Sequence, residues 1–423
     1  MVVNSERIAQ ELLDKRSRNY SDRIDMSYLI EQYGFGFITT FLHHNNSWRD
    51  HRRVLHQTLR TGAISAYWPT LVRRASTLLQ SLHTSREPWW EHIEMYAAAI
   101  VLGTVYDHEL PVKPEDDPTY RAMVEGTDLI FFIGSLGMTA LINAIPLVRY
   151  TPKWFAGGRW VNAAHCLQSM GTMIDTPYNI LQNRIVAGEA GACVMTEALA
   201  IFQGTTKLDD AEHVIKDACS TAYAAGKDTT GSTLLVFILA MVLHPHVQKT
   251  AQEELDMVVG TGRLPTFNDT PALPYLEAVL RETLRWRPVV PIGVPHTATN
   301  EDIYEGYRVP KGTAIIPNVW AISRDPEKYP SPDDFKPERF LDADGKLTND
   351  TCEFVFGFGR RICPGRHFAH AAVWIAMAQI LATFTIEKAK DSSGHPVEPA
   401  PEWGTGITTY PKPFPCNFVP RQT

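Results

Sequence analysis

FVFGFGRRICPGRHFAHAAVWIAMAQIL, residues 354–381, contains the one cysteine of this chain that its neighbours single out. Cys363 sits in a turn rich in glycine and arginine and is followed at once by Pro364 and Gly365. From there Ala369, Ala372, Val373, Ala376 and Ile380 recur at helical spacing, which predicts a helix that starts just after the cysteine. A sulfur so placed lies near the unpaired N–H groups and the positive dipole end of that helix. Arg360 and Arg361 add to the field, so a lowered thiol pKa and a thiolate are expected. Gly357, Gly359 and Gly365 let backbone pass close to something flat or bulky, and Phe356 is placed to shield the sulfur from water.

A thiolate held this way suits an axial ligand of haem iron. An isolated cysteine is more often an inert buried thiol, and the surrounding pattern separates the two readings. F-x-x-G-x-R-x-C-x-G is matched at Phe356, Gly359, Arg361, Cys363 and Gly365. It resembles the haem-binding signature of the cytochrome P450 family, whose pattern here is similar to fungal secondary-metabolism members of the O-methylsterigmatocystin oxidoreductase kind. The resemblance implies a mainly α fold with small β-sheets, haem b between a long central helix and the helix of the cysteine loop, and a single domain over residues 1–423.

Composition sets limits that agree with this. Of 423 residues 44% are hydrophobic, ample for a large core, and a net charge of −7 with a pI near 6.1 argues against a nucleic-acid partner. The six cysteines, at 166, 193, 219, 352, 363 and 416, form no C-x-x-C pair, zinc spacing or disulfide framework, which fits a reducing compartment. The N-terminus reads as an Asn4/Ser5 cap and a helix with Ile8, Leu12 and Leu13 on one face, without a signal peptide or membrane span. Residues 129–148 are apolar over about the 20 residues a bilayer demands. Gly134, Gly137, Asn143 and Pro146 interrupt them, so a buried or membrane-skimming helical pair is expected.

Three further motifs belong with the cysteine. Trp48 and Arg52 lie four apart, on one face of a helix capped near Asn46 or Ser47, where an indole N–H and a guanidinium fork can hold a carboxylate. They resemble the family's W-x-x-x-R helix, which binds a haem propionate; Arg49, His51 and Arg53 fall elsewhere on the helix and read as solvated. Residues 211–243 form a long apolar helix whose middle, AAGKDTTG, contradicts helix propensity. Threonines there can bond back to the preceding turn and open a groove. Ala225, Gly226, Asp228, Thr229 and Thr230 resemble the family's A-G-x-D-T-T. By that resemblance Ala225 and Gly226 leave room for dioxygen, Thr229 donates a hydrogen bond to it, Asp228 relays protons, and Lys227 points away. Finally, Glu282 and Arg285 with Arg339 resemble the E-x-x-R and P-E-R-F elements, a buried charge network supporting the cysteine loop.

Between these elements, residues 288–295 must be extended because of their prolines. Residues 303–317 carry turn signals at Glu305-Gly306 and Pro310-Lys311-Gly312, which predicts a small sheet. The resemblance places Val290, Ile292 and Val294 along the pocket and His296 on the second propionate, and the Trp403 to Tyr410 segment resembles the loop that inserts a residue, Ile407 or Thr408, into the pocket. It also implies a missing anchor, first helix and two strands before Val2, so an unpaired edge on the 303–317 strands is expected. The implied activity is a monooxygenase inserting one oxygen atom of dioxygen into an apolar molecule such as a terpenoid, polyketide or aromatic. NADPH–cytochrome P450 reductase, with cytochrome b5 as a second donor, would supply electrons. The expected location is the cytosolic face of the endoplasmic reticulum, or the cytoplasm with peripheral membrane contact if no anchor is present. Two alternatives stand: an inactive, truncated haem-binding member, or a non-haem protein with Cys363 as a buried thiol.

Overall fold

The computed structural model describes residues 1–85, 87–111, 113–202, 210–404 and 406–421. Its axis is the central helix, Ala211–Leu243, in which almost every side chain from Thr230 to Val242 is buried. A helix segment buried on all sides within the protein belongs to its core. It is long and apolar enough to cross a membrane by composition, yet its apolar window is 72% buried inside the protein. It packs against the helix Trp89–Tyr106, the tryptophan helix Asn46–Leu59 and the cysteine helix Arg366–Thr383. The central helix ends at His244, where Pro245 opens the next one, as the restriction on residues before proline requires.

The cysteine helix begins at Arg366 as its spacing predicts, and Ala371–Leu381 are buried without interruption. The tryptophan helix starts one residue earlier than expected. Asn45 is its cap, with Oδ1 accepting the Trp48 backbone N–H at 3.0 Å. The apolar stretch at 129–148 is a broken helical pair, Pro118–Ile133 and Leu136–Ala144, followed by a 3₁₀ turn at Pro146–Tyr150. Beyond it Leu147, Tyr150, Trp154 and Phe155 stand exposed.

The strands are short: β1 Val2–Val3, β2 His296–Thr297, β3 Asp302–Tyr304, β4 Tyr307–Val309, β5 Ala314–Pro317, β6 Phe384–Lys388 and β7 Cys416–Pro420. β3 and β4 form a hairpin with Glu305 at φ 47° and Gly306 at φ 83°, the two positive values that a type I′ turn needs. The Pro310-Lys311-Gly312 turn then carries the chain into β5, in a different sheet. The unpaired edge expected on the 303–317 strands is not found on β5, which lies in the middle of its sheet. β1 pairs with it in parallel (Val2 with Ile316) and β2 antiparallel (His296 with Ile315).

Candidate haem-thiolate site

The cysteine loop is closed by its own backbone: the Cys363 N–H donates to the Phe356 carbonyl at 2.8 Å, and Gly357 is held at φ 88° and ψ −165°, open only to glycine. Gly359 is required for a different reason from the one its motif suggests. At φ 54° it faces the Leu13 carbonyl, 2.1 Å from where a Cβ would stand, so its close approach is to the N-terminal segment and not to a cofactor. Gly365, at the cap of the cysteine helix, turns its N–H toward the sulfur.

The expectation of a lowered thiol pKa is corrected. Burial pushes the Cys363 thiol up, and the Gly365 N–H with the charges of Arg52 and Arg366 opposes this without overcoming it. Desolvation of a thiolate outweighs one helix terminus; a coordinating metal, where one is bound, would deprotonate the thiol outright. Cys363 is half-buried, and Phe356, Arg361 and Gly365 are likewise half-buried.

Around the loop lies an excess of buried positive charge. Arg361 donates from Nε to the Ser21 carbonyl and from Nη2 to the Leu42 carbonyl, each at 2.8 Å, and stacks 4.5 Å over Trp48; its Nη1 is buried with no partner. Its pKa is pushed down to about 10 by burial. Arg52 donates to the Ile362 carbonyl, next to the cysteine, and burial again lowers its pKa. His296 gives its Nδ1–H to the Tyr20 carbonyl at 2.7 Å, leaving Nε2 to donate only as imidazolium, a form that burial and Arg23 oppose. Among the described residues none of Arg23, Arg52 and Arg361 has a carboxylate within ion-pair distance. Asp22 accepts through one oxygen, Oδ1, from the backbone N–H groups of Arg23 and His44 and lies 3.0 Å from His43 Nδ1, while its charge acts on Arg23 and Arg361 from beyond ion-pair distance. Buried guanidinium groups do not shed their protons and are costly unpaired. A flat ligand with acidic groups at one edge therefore fits this cradle, and the iron of such a ligand would meet Cys363.

The central helix supplies the other wall. Ala225 is exposed and Ala222 and Thr229 are half-exposed, at i, i+3 and i+7 of one face, while Thr221, Tyr223 and Ala224 around them are buried. Thr229 Oγ1 donates to the Ala225 carbonyl at 2.8 Å and Thr233 repeats the pattern on Thr229, the back-bonding expected of the motif; the helix nevertheless runs unbroken. Gly226 does not open toward this face. A Cβ there would meet Val101 Cγ2 at 3.1 Å, so the glycine serves helix packing. Thr230 is buried with its hydroxyl unpartnered. Lys227 lies off this face of the helix: it is largely buried and its Nζ is 3.1 Å from Asp228, with the charges of Asp128 and Glu94 also acting on it. His51, expected in solvent, is 3% exposed, bonded through Nδ1 to Thr39 at 3.0 Å and 3.8 Å from Asp217.

Glu282 and Arg285 are fully buried and joined by two bonds of 2.6 and 2.8 Å; Glu282 also accepts from Arg339 and from the Lys336 N–H, and Arg285 donates to the Ser323, Pro332 and Asp334 carbonyls. Arg285 lies 5.3 Å over Tyr329, whose ring neighbours Phe354 at the head of the cysteine loop. Val290 and Val294 are half-buried and Ile292 is exposed at a turn. Thr409 returns to this stretch, its N–H donating to the Val289 carbonyl, with Ile407 half-buried and Thr408 buried beside it. Two surface crevices, of about 410 and 200 Å³, touch none of these residues.

A sequence model of the cytochrome P450 family matches residues 1–418. The chain belongs to the cytochrome P450 family. It is 38% identical over its full length to a cytochrome P450 monooxygenase of Armillaria gallica, covering 82% of that protein, and 38% identical to one of Postia placenta, covering 81%. It is 33% identical to the tryptamine 4-monooxygenase of Psilocybe cyanescens, covering 83%. Its fold is similar to a zebrafish cytochrome P450 solved with progesterone, at TM-score 0.79 and 25% identity over 99% of this chain and 93% of that one. As a P450 it is a haem-dependent oxidoreductase that incorporates molecular oxygen. Arg23, which shares the cradle with the expected residues, carries no motif in the sequence.

Proposed function

We propose that this P450 hydroxylates or epoxidises an apolar small molecule of fungal secondary metabolism, a terpenoid, polyketide or aromatic, using electrons passed from NADPH by a flavin-containing cytochrome P450 reductase, with cytochrome b5 as a second donor. Haem b, when bound, supplies the activation of dioxygen. On this reading Cys363 ligates its iron, while Trp48, Arg52, Arg361 and His296 hold its acid groups, and Phe356 and Gly365 shape the sulfur's surroundings. Ala225 leaves space on the central helix, Thr229 holds a proton at its Oγ1 beside that space, and Asp228 exchanges protons with solvent. Glu282, Arg285 and Arg339 fix the loop. The chain works as one domain.

The observation that carries this is the pairing of a half-buried Cys363, in the loop that leads into the cysteine helix, with the exposed Ala225 face of the central helix, the two helices packing together. Val290, Ile292 and Val294 make the substrate's surroundings apolar, which excludes water from the reaction. Arg360 is exposed and Arg366 half-buried beside the cysteine loop, where an acidic reductase surface can dock. Leu147, Tyr150, Trp154 and Phe155, flanked by Arg149 and Lys153, form the side that would touch the cytosolic surface of the endoplasmic reticulum. The test is the reduced carbon-monoxide difference spectrum, which should show a thiolate-type Soret band that Cys363→Ser abolishes while the far-UV circular dichroism is kept. Retention of the band in the variant would overturn the reading. Spin-state titration against terpenoid, polyketide and indole-type compounds then identifies the substrate class.

A further inference from the structure

Arg287 stands half-buried where the helix Pro274–Trp286 ends, directly before Pro288, which keeps it out of the helical region at φ −139° and ψ 78°. Its guanidinium carbon lies 5.0 Å from the ring centre of Trp286, 5.2 Å from that of Trp320 and 5.0 Å from that of Trp403. The three indoles come from separate stretches of chain. Trp286 gives its indole N–H to the Asp333 carbonyl at 2.8 Å, and Trp320, in the short helix Val319–Ile322, gives its backbone N–H to the Pro291 carbonyl at 2.8 Å. Trp403 opens the C-terminal turn, whose ends Trp403 and Pro411 are bridged.

The Arg287 Nε is buried without an acceptor, and among the described residues no carboxylate lies within ion-pair distance of its guanidinium. Asp333, whose charge reaches it from farther off, has an 84% exposed side chain and sits 3.4 Å from Arg324. A methionine would fill the same space without desolvating a charge. What a cation adds there is attraction to the faces of the rings, which is strongest for tryptophan. Trp320 is covered by Arg324 as well, at 3.3 Å, and Arg324 also donates to the Trp286 carbonyl. Trp403 is the indole that relies on Arg287.

The stretches so joined are those the functional reading sets along the substrate. Val289 and Val290 follow Arg287 within three residues, and the Val289 carbonyl accepts the Thr409 N–H at 2.8 Å. The turn is thus fastened to 287–289 at both ends, by Trp403 on Arg287 and by Thr409 on Val289. Resting on the haem monooxygenase reading above, we propose that Arg287 is a positioning residue for the substrate: by holding Trp403 it sets the gap between the 289–294 wall and the C-terminal turn. It acts through Trp403 and selects ligands by how far they extend from the iron.

The experiment uses the full chain carrying haem and two iron-binding probes, imidazole, which is too small to reach the walls, and clotrimazole, whose three aryl groups extend to them. Both are titrated by the red shift of the Soret band. Arg287→Met should bind imidazole as the wild type does and clotrimazole more weakly by on the order of fivefold, the worth of one partly desolvated cation–π contact, because binding must then also order the turn. Arg287→Lys, which keeps the charge, should recover part of that loss. Trp403→Leu should match Arg287→Met, and the double variant should lose no more than either, as residues acting through one contact require. Amide hydrogen exchange at Gly404 and Thr409 should quicken in Arg287→Met while the cysteine helix is unchanged. Should Arg287→Met fail to fold, Trp403→Phe, a weaker partner for a cation, is expected to show a smaller loss of the same kind. Unchanged clotrimazole affinity, equal weakening of both probes, or additive losses in the double variant overturns the role of Arg287. A wild type that takes up no haem would instead overturn the functional reading itself.

Discussion

The cysteine side and the oxygen side of this site are built on opposite terms. On the cysteine side the support is locked: Glu282 and Arg285 are wholly buried, Gly357 and Gly359 hold positive φ, and backbone bonds close the loop. On the oxygen side an unbroken helix merely omits bulk at Ala222 and Ala225 and turns Thr229 back on itself. Beyond it the roof ends in exposed aromatic residues. A ligand bond to iron tolerates little displacement, whereas a pocket facing substrate must admit and release it. Rigidity is concentrated where geometry sets the chemistry.

The contrast breaks if the cysteine side tolerates change. Glu282→Ala leaves Arg285 buried without its anion, which costs about 3–5 kcal/mol. Against a typical total of roughly 5–15 kcal/mol, little folded holoprotein should accumulate. Soluble yield and the thermal melt check this, and wild-type behaviour would refute the locked network. Gly359→Ala is next. It demands a left-handed alanine and a Cβ inside the Leu13 carbonyl, so a loss of roughly 3 kcal/mol is expected in urea unfolding. Gly226→Ala, on the oxygen side, should stay within about 1 kcal/mol of wild type, because the gain in helix propensity offsets the tight contact with Val101. Thr229→Ala should change stability by less than about 0.5 kcal/mol, since a back-bonded threonine adds little to its helix. Product formed per NADPH consumed should nonetheless fall several-fold, and unchanged coupling would remove Thr229 from the chemistry.

Much of this was legible from residues alone, for a physical reason. The cysteine loop, the Trp48/Arg52 helix and the Thr229 notch are local patterns, fixed by neighbours within one or two turns. What the pattern misassigned depends on distant partners. Gly359 is glycine because of Leu13, and Gly226 because of Val101. His51 is buried, 3% exposed, because the central helix and Thr39 cover it. Arg23 has meaning only where three separated stretches bring their carbonyls together. The thiol was expected to be acidic from its helix terminus, but burial, which no local pattern shows, decides the direction.

An effect confined to the acid range sharpens the comparison where the tryptophan helix meets the central helix. His51 is pushed down to about 4 by burial, and Asp217, 3.8 Å away, is pushed up to about 6 by burial. Both groups are therefore neutral over part of the acid range, and their linkage to stability has opposite signs. For His51 the folded pKa lies below the unfolded value near 6.5, so its contribution is present above that pH and lost as pH falls through 4. For Asp217 the folded pKa lies above the unfolded value near 3.9, so its contribution is present below that pH and lost as pH rises through 6. Of the groups facing them, His213 and Lys216 lower the Asp217 value, Asp210 and Asp175 raise it, and His213 lowers that of His51. Between pH 6 and 4 the two contributions largely cancel, and wild-type melting should carry little slope from this pair. Removing one member unmasks the other. Asp217→Asn should lose stability as pH falls across this window and His51→Gln should gain it, each by on the order of 1 kcal/mol after relaxation of the site. Melting temperatures at intervals from pH 7 to 4 read the two slopes directly, and a flat profile in either variant would mean that the remaining group is not shifted by burial.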